Sequence, residues 1–132
     1  QARFGGVPGI ELDFRHVPDA EVAPTLRAAS CLVLPYERFL TSGAAMLGLT
    51  FGLPTVAPDT PQMRELLPGV VHDLLYSREE PGSLLRAVER AVGLAGEARE
   101  VARHALLRRA RHLHPVRVSR TLGGLYDSIL AA

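Results

Sequence analysis

Residues 41–43, Thr-Ser-Gly, form the part of this chain whose residue types could do chemistry. They follow an apolar run at 31–34 that predicts a strand buried on both faces, and they precede an apolar helical segment at 44–51. The first turn of a helix offers free N–H groups and the positive end of the helix dipole. With two hydroxyl groups and a glycine that lets a ligand approach closely, this helix start is typical of a phosphate site.

The loop before this helix start carries Glu37 and Arg38. A cation and a hydrogen-bond acceptor beside an anion site suit a ligand that has both phosphates and hydroxyl groups. A purely structural interpretation stays open, because Thr41 or Ser42 could act only as the N-cap of the helix. Helix chemistry alone favours the cap.

The elements on either side predict where this segment lies. Glycine and proline residues end both the strand 31–34 and the helix 44–51, and residues 55–57 begin another short strand. The helix is apolar on every side except at Thr50, so we expect it to be buried beside the sheet. In an open parallel sheet such a loop lies at the carboxyl end of a strand, where ligands bind.

Strands and helices alternate along the rest of the chain. Further strands are predicted at 10–14, where apolar and acidic residues alternate, and in two apolar pieces at 70–72 and 74–76. Further helices are predicted at residues 19–30, 62–67, 97–113 and 118–129, and after Glu80-Pro81.

Several details of these helices are specific enough to test. Pro24 is expected to separate a short turn from the helix proper. Residues 59–61, Asp-Thr-Pro, are expected to cap the helix that follows them. Glycines 123 and 124 favour close packing of the terminal helix. The helix after Glu80 is expected to bury one apolar stripe, made of Leu84, Leu85, Val88 and Val92.

No hairpin signal joins neighbouring strands. The pattern therefore predicts βαβ units, a parallel sheet and right-handed crossovers. We expect one α/β domain followed by a helical C-terminal tail, with the division near residue 95, so that 1–95 and 96–132 are the two parts.

Composition limits the classes of function. The chain has 132 residues, 47% of them hydrophobic and 5% aromatic, which is enough for a core of leucine, valine and alanine. Its net charge of +1 gives no general argument for nucleic acid or an anionic membrane. The single cysteine, Cys31, excludes an internal disulfide framework and is expected to be a small core residue. The chain begins at Gln1, which we interpret as the sign of a longer polypeptide.

Two other groups of residues could bind ligands but have simpler interpretations. His112 and His114 could be metal ligands, but the sequence supplies no further cluster beside them, so we predict no metal site. The arginines between 99 and 120 could bind nucleic acid or anionic lipid, but they lack interleaved aromatic residues and have acidic neighbours. We expect them to form a solvated face or a surface facing another domain.

The central segment, PYERFLTSGAAMLGLTFGLPTVAPD, resembles the donor-binding segment of the GT-B glycosyltransferases of the large "group 1" family. Shorter segments resemble that family in the same order: PGIELDFRHVPDAEV, AASCLVLPY, REEPGSLLRAVERAV and RTLGGLYDSIL. The resemblance implies the second half of a Rossmann-like C-terminal domain. Residues 1–95 would form its donor-binding portion, and residues 96–132 the helices that pack on it or on an N-terminal acceptor domain.

The resemblance also implies roles for individual residues. The donor's diphosphate and sugar would lie against a segment that begins at Glu37 and continues through Arg38, Thr41, Ser42, Gly43 and Ala44. The nucleobase would lie near His16 and Val17. Many family members use a Glu-x7-Glu pattern to bind the ribose, but Phe39 and Leu47 stand at those two positions here. The chain is closer to a subgroup with PY-x4-(S/T)-S-G in that place.

The implied function is transfer of a sugar from a nucleotide-sugar to an acceptor, in a bacterial cytoplasmic protein that could also contact the inner face of the membrane. The resemblance implies no obligatory metal and no cofactor. The general base would come from the acceptor domain, so no catalytic residue is predicted in this chain and the chain alone should not turn over. The alternative is a non-catalytic α/β interaction module, a truncated or degenerate relative. A nucleic-acid partner is not expected.

Overall fold

A computed structural model describes residues 7–36 and 43–131 of the protein, which form an α/β structure around a small sheet. The sheet has three strands, β1 (Leu32–Val33), β2 (Thr55–Pro58) and β3 (Leu75–Tyr76), in the order β1-β2-β3. The strand predicted from 31–34 is therefore present in shortened form, and β2 and β3 lie where apolar runs were expected.

The predicted parallel arrangement is confirmed. Leu32 is paired with Thr55 across β1 and β2, and Ala57 is paired with Leu75 across β2 and β3, both in parallel register. Because all three strands run the same way, their carboxyl ends lie at one edge of the sheet, here named the carboxyl edge. Their amino ends lie at the opposite amino edge.

Helices connect and flank these strands, and the described residues contain six α-helices and one 3-10 helix. The 3-10 helix is Gly69–Leu74, immediately before β3. The α-helices are α1 (Asp19–Ala28), α2 (Gly43–Phe51), α3 (Pro61–Leu66), α4 (Ser83–Gly93), α5 (Gly96–His112) and α6 (Pro115–Leu130).

Helix α2 connects β1 to β2. Glycines at 48 and 52 let it lie close to the sheet and to α5. A Cβ atom at Gly48 would overlap the Thr55 hydroxyl oxygen, so only glycine allows this approach to the sheet. Gly52 ends the helix with a φ of +62°, and a Cβ there would lie 2.9 Å from Cγ of Arg103 on α5. The helix is therefore held between the sheet and α5.

The hydrophobic core lies around β2, which is buried along its whole length. Helix α4 packs against β2 and β3, and α5 packs against α2. The buried Thr55 hydroxyl donates to the Leu53 carbonyl at 3.0 Å, so this polar group does not remain unsatisfied in the core. The largest fully buried apolar side chains are Leu49, Met63, Leu67, Leu74 and Leu106, with Val56 and Val71.

The strand predicted at 10–14 is wrong. These residues form no strand in the structure, and the side chain of Phe14 is 70% exposed. Alternation of apolar and acidic residues describes a half-buried strand, but a strand also needs a neighbour that completes its backbone hydrogen bonds. No strand among the described residues pairs with this segment.

The strand predicted at 70–72 is also wrong, because these residues belong to the 3-10 helix. Val71 and Leu74 are buried while Val70 is 52% exposed, which is the spacing of three that a 3-10 helix produces. The Val71 N–H donates to the Pro68 carbonyl at 3.0 Å and begins this turn. The strand begins only at Leu75.

Helix α1 runs through Pro24 without a break, contrary to the predicted turn before it. The proline removes one backbone donor from the helix interior. The Thr25 hydroxyl donates to the Glu21 carbonyl at 2.8 Å, one residue after the carbonyl whose helical donor the proline removes. The predicted cap of α3 is confirmed, since the Thr60 hydroxyl accepts from the Met63 N–H at 3.3 Å.

The buried face of α4 differs from the predicted stripe. Its buried residues are Ser83, Ala87 and Ala91, whereas Leu85 and Val92 are exposed. Small side chains let the helix backbone approach β2 and β3 closely, and the larger side chains are displaced to the flank. Val88 of the predicted stripe is half-buried against the core, so hydrophobicity alone identified the buried face only in part.

The terminal helix α6 has no buried residue. Its apolar side chains are exposed, and a Cβ atom at Gly123 or Gly124 would meet nothing within 4 Å. The close packing expected at these two glycines is therefore absent within the described structure. The exposed apolar residues of α6 are Val116, Val118, Leu122, Leu125, Tyr126, Ile129 and Leu130.

Candidate functional site

The first residue of α2, Gly43, lies where the sequence predicted a ligand site. Because β1 and β2 are parallel, α2 has to run back from the carboxyl edge to the amino edge, and its N-terminus is on the carboxyl-edge side. Gly43 is exposed, and a Cβ atom there would meet nothing within 4 Å. The helix start at Gly43 is therefore beside open space.

Glu37, Arg38, Thr41 and Ser42 lie outside the described residues, so their predicted roles stay predictions. The chain is described again from Gly43, and Ala44 beside it is half-buried. On the other side of this gap, Leu34 is buried and Tyr36 is half-buried against the core. The core thus anchors the chain immediately before and after the predicted loop.

Helix α2 is not buried on all sides, contrary to prediction. Gly43, Leu47 and Thr50 are exposed and share one face at helical spacing. Ala45, Gly48 and Leu49 form the buried face. Leu47, where the resemblance places the second glutamate of the Glu-x7-Glu pattern, is 40% exposed and leaves an apolar side chain one turn after the helix start.

His16 and Val17, predicted near the nucleobase, lie in the exposed segment before α1. Helix α1 contacts α2, but no hydrogen bond or ion pair between described residues joins His16 or Val17 to α2. Nearby, Arg15 pairs with Asp13 and Glu21 and so fixes the chain as it enters α1. The structure brings Gly43, Ala44 and Leu47 together, and it places His16 and Val17 in a separate segment.

A polar pocket at the carboxyl edge was not predicted from the sequence. It has a volume of about 270 Å³ and is lined by Asp59, Tyr76, Ser77, Arg78 and Glu79. Asp59 comes directly after β2, and the other four residues lie at or directly after the end of β3. We call this site the carboxyl-edge pocket. The Asp59 N–H donates to the Tyr76 carbonyl at 2.8 Å and joins the two strand ends beneath it.

An ion pair fixes the Asp59 carboxylate in this pocket. Arg64 Nε lies 2.5 Å from one carboxylate oxygen and Arg64 Nη2 lies 2.6 Å from the other. These hydrogen bonds hold the pKa of Asp59 below its usual value, with partial burial opposing them. Asp59 is therefore an ionised acceptor with fixed orientation at neutral pH.

The β3 side of the pocket is ordered by backbone contacts. The Ser77 N–H donates to the buried Ser83 hydroxyl at 3.0 Å, and the Glu79 N–H donates to the Ser77 hydroxyl at 3.3 Å. Tyr76 is buried, and burial raises the pKa of its phenol while the charge of Arg78 opposes that shift. A signal in the sequence could have identified the pocket, because polar residues follow two neighbouring strands.

The amino edge carries a groove of a different kind. It has a volume of about 710 Å³, and Arg27, Arg99 and Arg103 are among its lining residues. Arg27 lies 5.9 Å from the centre of the Phe51 ring, and Arg99 donates to the Ser30 carbonyl at 3.3 Å. Basic side chains stabilise helix C-termini, and α1 and α2 both end here. These arginines thus have structural roles.

Other groups that could do chemistry are engaged in the fold. Arg109 donates to the Glu65 carbonyl at 2.7 Å and to the Leu66 carbonyl at 3.1 Å, at the end of α3. The His114 ring nitrogen accepts from the Val116 N–H at 3.3 Å and caps α6. Cys31 is half-buried, and burial raises the pKa of its thiol, with Arg99 opposing the shift.

Across residues 7–36 and 43–131, no three His, Cys, Asp or Glu side chains are grouped as metal ligands would be. In the same part of the chain, no helix combines the length and hydropathy that crossing a membrane requires.

Comparison with known proteins found no matching family model, no matching curated protein and no matching solved structure.

Proposed function

We propose that this chain is the donor-binding portion of a GT-B glycosyltransferase, which transfers a sugar from a nucleotide-sugar to an acceptor. Its sheet would be the second half of a Rossmann-like C-terminal domain. One observation carries the proposal: the segment that resembles the donor-binding segment leads into an exposed helix start, Gly43, on the carboxyl-edge side of a parallel sheet. Ligands of parallel α/β sheets bind at that edge.

The proposed contact is between α2 and the donor's diphosphate. The free N–H groups at Gly43 and Ala44 and the positive end of the helix dipole favour an anion, with Thr41, Ser42 and Arg38 as further donors. As the glycosidic bond to the diphosphate breaks, negative charge grows on the leaving group. Donors already oriented toward that charge lower the barrier without rearranging. Glu37 would accept hydrogen bonds from the sugar, and His16 with Val17 would lie near the base.

The acceptor's general base would come from a second domain, as the resemblance implies. We therefore assign no catalytic residue within the chain. The expected behaviour of the isolated chain is binding of nucleoside diphosphates without turnover.

Substitutions at Gly43 test the diphosphate contact. The position is exposed and has open space for a Cβ atom. Gly43→Asp places a negative charge where the diphosphate would lie, and the same charge stabilises the helix by about 0.5 kcal/mol through its dipole. We expect Gly43→Asp to abolish UDP and GDP binding by calorimetry without loss of thermal stability. Gly43→Ala is the uncharged control and should retain most of the binding. If wild-type protein binds neither nucleotide, the proposal fails.

A non-catalytic interaction module is the second candidate, and the exposed apolar face of α6 favours it. Such a module would use this face to bind another chain rather than a nucleotide. Light scattering separates the two candidates. A monomer that nucleotides stabilise supports donor binding, whereas a self-associating chain with no nucleotide response supports the interaction module.

A further inference from the structure

The carboxyl-edge pocket lies at the same edge of the sheet as the proposed diphosphate site. Helix α2 follows β1, and the pocket is formed where β2 and β3 end. Neighbouring strands are about 4.8 Å apart, so the carboxyl ends of the three strands span only two strand spacings, and α2 begins on the same side of the sheet. A nucleotide-sugar carries a nucleoside on one side of its diphosphate and a sugar on the other. One of its two ends can therefore reach the pocket.

The lining of the pocket suits hydroxyl groups. Its lining residues include the carboxylate residues Asp59 and Glu79, the hydroxyl residues Ser77 and Tyr76 and the basic residue Arg78. An ionised carboxylate accepts about four hydrogen bonds, so Asp59 can accept others besides the two from Arg64. Two adjacent hydroxyl groups on a sugar ring are matched donors for such oxygens.

We infer that the carboxyl-edge pocket binds a pair of adjacent hydroxyl groups of the nucleotide-sugar, with Asp59 and Glu79 as the acceptors. This inference rests on the proposed function. Leu47, an exposed apolar residue on α2, cannot accept hydrogen bonds from hydroxyl groups. In the inferred site the carboxylates of the pocket accept them. The hydroxyl pair belongs either to the ribose or to the transferred hexose, and both have the same hydrogen-bonding chemistry.

Calorimetry with the full chain tests the inference, using UDP, GDP, their glucose conjugates and the 2′-deoxy diphosphates as probes. Glu79→Gln and Asp59→Asn should each weaken binding about tenfold, since each removes a charged hydrogen-bond acceptor. If the ribose occupies the pocket, diphosphates and conjugates weaken alike, and the variants no longer distinguish ribose from 2′-deoxyribose. If the hexose occupies it, only the glucose conjugates weaken.

Two control variants separate recognition from structure. Arg64→Gln removes the ion pair but keeps the Asp59 carboxylate, so its binding should stay within about threefold of wild type. Glu89→Gln removes an exposed carboxylate from α4, outside the pocket lining, and should have no effect. Circular dichroism confirms that each variant is folded.

The possible failures are distinguishable. Wild-type binding that Glu79→Gln and Asp59→Asn leave unchanged overturns this inference while the proposed function stands. A loss in Asp59→Asn that Arg64→Gln reproduces, with no effect of Glu79→Gln, also overturns it. A wild-type chain that binds none of the probes overturns the proposed function and this inference with it.

Discussion

Helices α2 and α6 are both rich in apolar residues. Each carries a pair of glycines, Gly48 and Gly52 (directly after the end of α2) and Gly123 and Gly124 in α6, but the surroundings of the two pairs are opposite. Gly48 of α2 lies against Thr55 and Gly52 lies against α5, so side chains there would collide with neighbours. Gly123 and Gly124 of α6 face open space. An apolar helix with glycines therefore indicates close packing only where another element is present, and the sequence of the helix does not say whether one is.

The largest difference between the two helices should come from removing a leucine. Leu49 of α2 is fully buried, so Leu49→Ala should lower the free energy of unfolding by about 3 kcal/mol through lost burial and a cavity. Leu125→Ala on α6 should change it by less than about 0.5 kcal/mol, because Leu125 is exposed. Urea unfolding measures both values. Equal losses would show that α6 is covered in solution.

The glycines should respond with opposite signs. Gly48→Ala forces a methyl group against the Thr55 hydroxyl and should destabilise the protein by about 2 kcal/mol. Gly124→Ala adds a methyl group in open space and should stabilise α6 by about 1 kcal/mol through helix propensity. Thermal unfolding followed by circular dichroism checks the two signs. A stabilising Gly48→Ala would contradict the close approach of α2 to the sheet.

The smallest effect concerns acid stability. Hydrogen bonds from Arg64 hold the pKa of Asp59 below its usual value, so the folded pKa is lower than the unfolded value of about 3.9. The ion pair therefore stabilises the fold above that pH, and the stabilisation is lost as the pH falls through the folded pKa. Asp59→Asn removes this titrating carboxyl group. The variant should therefore lose less stability than the wild-type protein when the pH falls below about 4. Asp127→Asn on α6, where Asp127 pairs with no described cation, should leave that loss unchanged.

Local signals predicted the packed region well. Glycine and proline residues separate β1, α2 and β2 in the sequence. Each of them affects only the few residues beside it in the chain. The Thr60 cap and the long helix α5 were predictable for the same reason.

The errors concern features that depend on distant parts of the chain. The alternation of apolar and acidic residues at 10–14 could not show that no described strand pairs with this segment. The small residues of α4 face the sheet because they permit a close approach, which hydrophobicity does not record. Polar residues follow β2 and β3 in the sequence, but only the strand order shows that they meet in one pocket. For the candidate site, the start of α2 was predictable, whereas the roles of Glu37, Arg38, Thr41 and Ser42 stay predictions.

The parallel register of the sheet also constrains how the protein folds. Its paired residues, Leu32 with Thr55 and Ala57 with Leu75, are roughly 20 positions apart in the chain, so no strand pair forms through a tight turn. Two long loops must close before the strands gain any backbone hydrogen bonds from each other. The rate of folding should therefore depend on how early α2 and the 3-10 helix collapse onto β2, because these elements lie inside those loops.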